Sequence, residues 1–161
     1  MKGLIKRAIL AAALLAAATV YGHAQNSTEV EKAVNGIVSR YDDVDGVECV
    51  TVTKGNGLEM IKLMFIKQFG KDFMKGVRSI TIINYSEASE ATCQAVRNEF
   101  DVFLTLLEEF KVGNEAQFAD NDFIRCFASS SGEKTVSDFV IALENSDSKM
   151  FMYMAGEIKV E

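Results

Sequence analysis

Met150, Met152 and Met154 alternate along the last apolar segment of the chain. In an extended strand this M-x-M-x-M pattern puts three thioethers on one face, a set of soft ligands suited to Cu(I). Met60, Met64 and the three cysteines, Cys49, Cys93 and Cys126, are available as further soft ligands. Phe151 and Tyr153 on the other face are apolar as well, and methionine fills irregular cores. The same pattern therefore describes an ordinary buried strand. Met150, Met152 and Met154 stand as the one candidate metal set, and no cofactor is otherwise expected.

The acidic run Asp42-Asp43-Val44-Asp45-Gly46 invites a calcium loop. With Gly46 at its sixth position, the first would be Tyr41 and the twelfth Val52, where carboxylates belong, so an EF-hand is excluded. Gly55-Asn56-Gly57 stands between a strand and a helix, but Met60 occupies the place of a dinucleotide fingerprint's third glycine. In Ser131-Gly132-Glu133-Lys134-Thr135, Glu133 separates the Gly-Lys pair that a phosphate loop needs. Both segments read as turns. Asp42, Asp43, Asp45, Asp120 and Asp122 could supply the paired carboxyls of a glycosidase, about 5–10 Å apart, yet no spacing singles out a pair.

Lys62, Lys67, Lys71, Lys75 and Arg78 are answered between residues 60 and 78 only by Asp72. Lys67, Lys71 and Lys75 would line one helix face if the helix continued past Gly70, and could then meet an acidic partner or a polysaccharide; a solvated face explains them as well and is the favoured reading. None of the cysteines has C-x-x-C spacing, which leaves redox and zinc-ribbon motifs unsupported. Each lies within an apolar segment, which favours three small buried hydrophobes over one disulfide and a free thiol.

The single histidine is His23, and it falls in a leader. Lys2, Lys6 and Arg7 form a basic start, Ala8 to Val20 an apolar stretch, and Tyr21-Gly22-His23-Ala24 a small-residue cleavage site. The expectation is a signal peptide over 1–24, with cleavage at Ala24-Gln25 and export to the periplasm or beyond. Gln25 stands where a lipid-anchored protein would need cysteine. The remaining 25–161 contain no histidine, which removes Ser-His-Asp and Cys-His catalysis and the common imidazole metal sites. Losing three bases and no acids also makes that part more acidic than the −6 of the whole chain. Nucleic acid and anionic lipid are disfavoured as partners.

The 161 residues, 48% apolar and 25% charged, suit one globular domain over 25–161. Thr28-x-x-Glu31 is a capping box that opens a helix carrying Val30, Val34, Ile37, Val38 and Tyr41 on one face. Val47 to Lys54 reads as a strand; a helix with Ile61, Met64, Phe65 and Phe69 inward follows, then a second strand from Val77 to Tyr85. Two strands joined by a helix suggest a right-handed parallel crossover. Ser86 would cap a third helix, with Val96, Phe100, Phe103, Leu107 and Phe110 on its stripe. Phe123 to Ala128, Val136 to Leu143 and Met150 to Ile158 alternate as strands, with turns short enough for an antiparallel meander. The expected fold is α+β, a two-layer sandwich of three helices and an approximately five-stranded mixed sheet in the order α-β-α-β-α-β-β-β.

The segments Phe123-Ile124-Arg125-Cys126-Phe127, Val136 to Leu143 and Met150 to Ile158, behind a leader and a helical first half, carry a resemblance. The chain resembles the small exported proteins of the domain-of-unknown-function family 4252 and its relatives, found in the Bacteroidetes. Gly156 matches that family's late glycine, read as relief of crowding in a strand. The resemblance implies no activity and no catalytic residue. The expectation is a non-enzymatic exported module that binds a protein or envelope partner through a sheet face or edge. The alternatives are a small-ligand or Cu(I) carrier and a histidine-free carboxylate hydrolase.

Overall fold

The computed structural model describes residues 28–69, 71–110, 123–130 and 135–159. The expected leader with its cleavage point, Asp120, Asp122 and residues 131–134 lie outside the described residues, as do the side chains of Met64, Phe65, Lys67 and Phe69. Helix α1 spans Glu29–Tyr41. Thr28 caps it as its spacing to Glu31 predicts, its Oγ1 accepting the Glu31 N–H at 3.1 Å. Val30, Val34 and Ile37 are buried. Strand β1 (Glu48–Val52) leads to helix α2 (Asn56–Phe69) and strand β2 (Val77–Asn84). Helix α3 (Glu90–Leu104) is followed by β3 (Glu108–Phe110), β4 (Phe123–Ser130), β5 (Thr135–Glu144) and β6 (Lys149–Lys159).

The six strands form one sheet in the order β1-β2-β6-β5-β4-β3, and every neighbouring pair is antiparallel. The α+β class and the closing meander agree with the sequence reading. Three details do not. No parallel crossover joins β1 to β2, because Val52 pairs with Ile80 and Glu48 with Asn84. The turn at 71–76, anchored by buried Phe73 and Met74, returns the chain so that β2 enters beside the exit of β1. Periodicity reports which face a residue buries and is silent about the end from which a strand is entered.

The sheet is also not one side of a two-layer sandwich. Leu58 and Ile61 of α2 share a core with Val52, Ile80, Ile82, Met152 and Met154. On the opposite face Val34 and Ile37 of α1 and Val96, Phe100 and Phe103 of α3 pack with Ile83, Val140, Phe151 and Tyr153. Helices thus pack on both faces of the sheet. Finally, α3 is capped by Ser89, which accepts the Thr92 N–H at 3.2 Å, and it stops at Leu104. Ser86 instead donates to Asn84 Oδ1 at 2.7 Å and accepts the Lys149 N–H at 2.8 Å, tying β2 to β6. The apolar spacing that runs on to Phe110 crosses from a helix into the extra strand β3.

Two backbone irregularities shape the centre of the sheet. Asp138 lies in a bulge, where Asp138 and Phe139 of β5 face Ala128 alone on β4, and it adopts φ +52°, a conformation that Asp tolerates better than most residues. Gly156 sits at φ +135° against Gly76, and a Cβ there would lie 2.2 Å from the Gly76 carbonyl oxygen. The relief of crowding expected at Gly156 is thus a contact of backbone on backbone.

Candidate functional site

Register brings one row of residues across five strands on the face that carries α1 and α3: Cys49, Ile83, Phe151, Ala142 and Arg125. Ala142 places only a methyl between the Phe151 ring and the Arg125 side chain, and a cleft opens above it. Its far wall is the flank of α3, where Arg97, Asp101 and Leu104 recur at helical spacing beside the buried phenylalanine stripe. Tyr85, just after β2, and Glu144, at the end of β5, complete a cleft of about 210 Å³.

Charge in this cleft is closely balanced. Arg97 pairs with Glu144 and, at 3.1 Å, with Glu90, whose carboxylate also lies 3.6 Å from Lys149 Nζ. Hydrogen bonding to Glu144 raises the Arg97 pKa, and Arg97 in turn holds Glu90 below the usual carboxylate range. Arg125 donates to both oxygens of Glu109, at 2.8 and 3.0 Å, and its guanidinium lies 4.8 Å from the centre of the Phe127 ring. Asp101 is exposed on the rim, near enough to help raise the Arg125 pKa.

Two polar atoms of the cleft residues are buried without a hydrogen-bond partner: the Tyr85 hydroxyl and Arg97 Nε. Burial, and then the Glu144 charge, raise the Tyr85 pKa far above its usual value, against a smaller lowering by the neighbouring Arg97, through its charge and its hydrogen bond to Tyr85, so the hydroxyl remains protonated. Tyr85 is held rigidly. Its ring lies nearly parallel to Phe151, its N–H donates to the Lys149 carbonyl at 2.9 Å, and the Cys93 thiol donates to its own carbonyl at 3.5 Å. Neither atom is exposed, so both belong to the wall of the cleft, where the two side chains meet.

The residues singled out by type and spacing lie elsewhere. Met150, Met152 and Met154 do share one face of β6, deep in the α2-side core. Cys126 joins the same core, one strand removed from Met152 with Ile141 between, whereas Cys49 and Cys93 belong to the opposite face. All three cysteines are free thiols. Asp42, Asp43 and Asp45 are exposed on the turn after α1, and Gly55-Asn56-Gly57 is the turn that starts α2. Helix α2 ends at Phe69, so Lys71 and Lys75 do not continue a helical basic stripe; Lys62 pairs with Glu59 at 3.3 Å.

A second polar cluster was equally hidden in the sequence. Buried Asp138 accepts hydrogen bonds from the Tyr153 hydroxyl and from Thr28 Oγ1, each at 2.6 Å, and from Ser129 Oγ at 3.3 Å. Its oxygens are used up in joining α1 to the sheet, which makes it a structural hub. The cleft residues had weaker signals still. Arg97 breaks no pattern on its helix, and a lone alanine among the large residues of β5 was the one hint of space. No family model, curated protein or solved structure matches the chain.

Proposed function

We propose that this protein is a non-enzymatic binding module, exported to the cell envelope after loss of its leader, which takes its partner at the cleft between α3 and β4 to β6. The observation that carries this reading is the cleft itself, whose apolar floor of Leu104, Ala142 and Phe151 lies between the Arg97–Glu144 and Arg125–Glu109 pairs. Glu144 is committed to Arg97, which leaves the cleft built for holding more than for acid–base work. The leader and the resemblance to small exported proteins support the location.

A benzophenone side chain at Thr105, the C-cap of α3 and four residues beyond Asp101, tests it in cells, with Glu59 on the opposite face as control. Both positions are exposed. The expected result is a discrete adduct from position 105, absent from position 59, and abolished by Ala142→Leu, which fills the cleft without touching its polar groups. Equal adducts from both positions, or indifference to Ala142→Leu, would overturn the reading.

A further inference from the structure

We infer that the outer face of α2 docks this protein on an anionic lipid surface, independently of the cleft. Among the described residues four large apolar side chains are exposed: Met60, Leu63, Val102 and Leu106. The first two lie one turn apart on α2, while Leu58 and Ile61 of the same helix face the core. The two exposed pairs stand in opposite charge. From residue 54 to residue 75 the chain carries Lys54, Lys62, Lys67, Lys71 and Lys75 against only Glu59 and Asp72. Around Val102 and Leu106 the chain carries Glu99, Asp101, Glu108 and Glu109 instead. Buried Phe73 and Met74 fold the 71–76 turn onto the α2-side core, which leaves Lys71 and Lys75 exposed at the end of the helix. Beside that turn Glu157 and Lys159 of β6 cancel in charge.

Solvation alone accounts for the lysines, but not for the apolar side chains standing among them. A protein partner fits this surface less well. Protein interfaces are enriched in arginine and aromatic residues and depleted in lysine, whereas the bases from 54 to 75 are all lysine. A second copy seated face to face would set lysine against lysine. A bilayer surface bearing phosphates meets both features together. Met60 and Leu63 enter the boundary of the acyl chains, and the lysines lay their stems along it with their ammonium groups on the phosphates. The acidity of the whole chain argues against anionic lipid on average. It acts weakly at this face, because screening confines each exposed charge to about 8 Å at physiological ionic strength. Helix α3 and the cleft lie on the other side of the sheet, so docking through α2 turns the cleft away from the lipid.

The test is co-sedimentation with vesicles of the protein purified after expression of the whole chain. One set of vesicles is phosphatidylcholine alone and the other phosphatidylcholine with phosphatidylglycerol, each at about 0.1 M and about 1 M salt. Binding to the mixed vesicles at low salt is expected, weakened at high salt and absent from phosphatidylcholine alone. Leu63→Gln should weaken it at least about tenfold, the loss of one apolar side chain from the boundary. Lys71→Gln and Lys75→Gln should each weaken it about fivefold at low salt. Val102→Gln is the control and should leave it unchanged. All four positions are exposed, so the urea midpoint should not move. No binding, equal binding to both kinds of vesicle, or binding indifferent to Leu63→Gln would overturn the inference. An equal loss from Val102→Gln would do the same. So would a dimer that Leu63→Gln dissolves in the absence of vesicle binding, which would make this face an interface between copies. Failure of the Thr105 adduct, by contrast, strikes the cleft and leaves the α2 face untouched.

Discussion

Burial acts on individual groups here in a way that sets the response to alkali. Desolvation pushes the Cys126 thiol up to about 11 and the Cys49 thiol up to about 12, and it raises the Tyr85 and Tyr153 hydroxyls further above their usual value. Each group keeps its proton in the folded protein and releases it near its ordinary value when unfolded. Above that ordinary value the unfolded chain binds fewer protons, so stability is full below it and falls as pH rises. The decline should begin near the ordinary thiol value of 9.0 and steepen as the tyrosines join. Urea denaturation from about pH 8 to about pH 11 measures it, with a slope near 1.4 kcal/mol per pH unit for each group that titrates in the unfolded chain alone. Cys126→Ala should reduce that slope over the lower part of the range. An unchanged slope would mean that the thiol is already ionised or accessible in the folded state.

Helix α1 is attached to the sheet by its cap as much as by its apolar face. Thr28 Oγ1 accepts the Glu31 N–H and donates to Asp138, whereas Ser89, which caps α3, is exposed and makes its contacts locally with Thr92. At the other end of α1, Glu99 of α3 takes an ion pair from Arg40 and a 2.9 Å hydrogen bond from the Tyr41 hydroxyl. The exposed ion pair adds little, since such pairs are worth at most about 1 kcal/mol. Thr28→Ala should therefore cost about 2 kcal/mol in chemical denaturation, one cap plus one partner of a buried carboxylate. Ser89→Ala should cost about 1 kcal/mol. Equal losses would show that the Thr28–Asp138 bond contributes nothing beyond the cap. Helix α2 covers the other face with Leu58 and Ile61 but leaves Met60 and Leu63 exposed, 52% and 64%.

Stability across the protein should follow position in the sheet. Strand β6, 11 residues long, is paired on both sides along most of its length and buried on both faces, with β2 and β5 as its neighbours. Among the described residues β1 pairs only with β2, and the three-residue β3 pairs only with β4. Native-state hydrogen exchange should find the amides of β6 and the adjoining strands slowest and those of β3 fastest among the strands. Fast exchange in β6 would contradict a single core on each side of that strand. Among the described residues the two edge strands, β1 and β3, each have a strand on one side only.

Much of the fold was legible because burial leaves a periodic trace. The capping box at Thr28, the phenylalanine stripe from Val96 to Phe103 and the alternation of β4 to β6 each follow from one local rule about which side of an element faces the core. What no local rule contains is the meeting of distant residues. Tyr85, Arg97, Ala142 and Glu144 converge only because antiparallel register sets β2, β6 and β5 side by side and α3 crosses above them. Asp138 looks like an ordinary polar residue of a strand until a bulge against β4 and a positive φ turn it inward toward Thr28 and Tyr153. The entry direction of β2 and the helix on the second face were decided in the same way, by long-range packing that periodicity leaves open. The amino-acid pattern determined the elements and which side each buries; the tertiary structure alone decided which polar side chains share a cleft, because that depends on strand order and register.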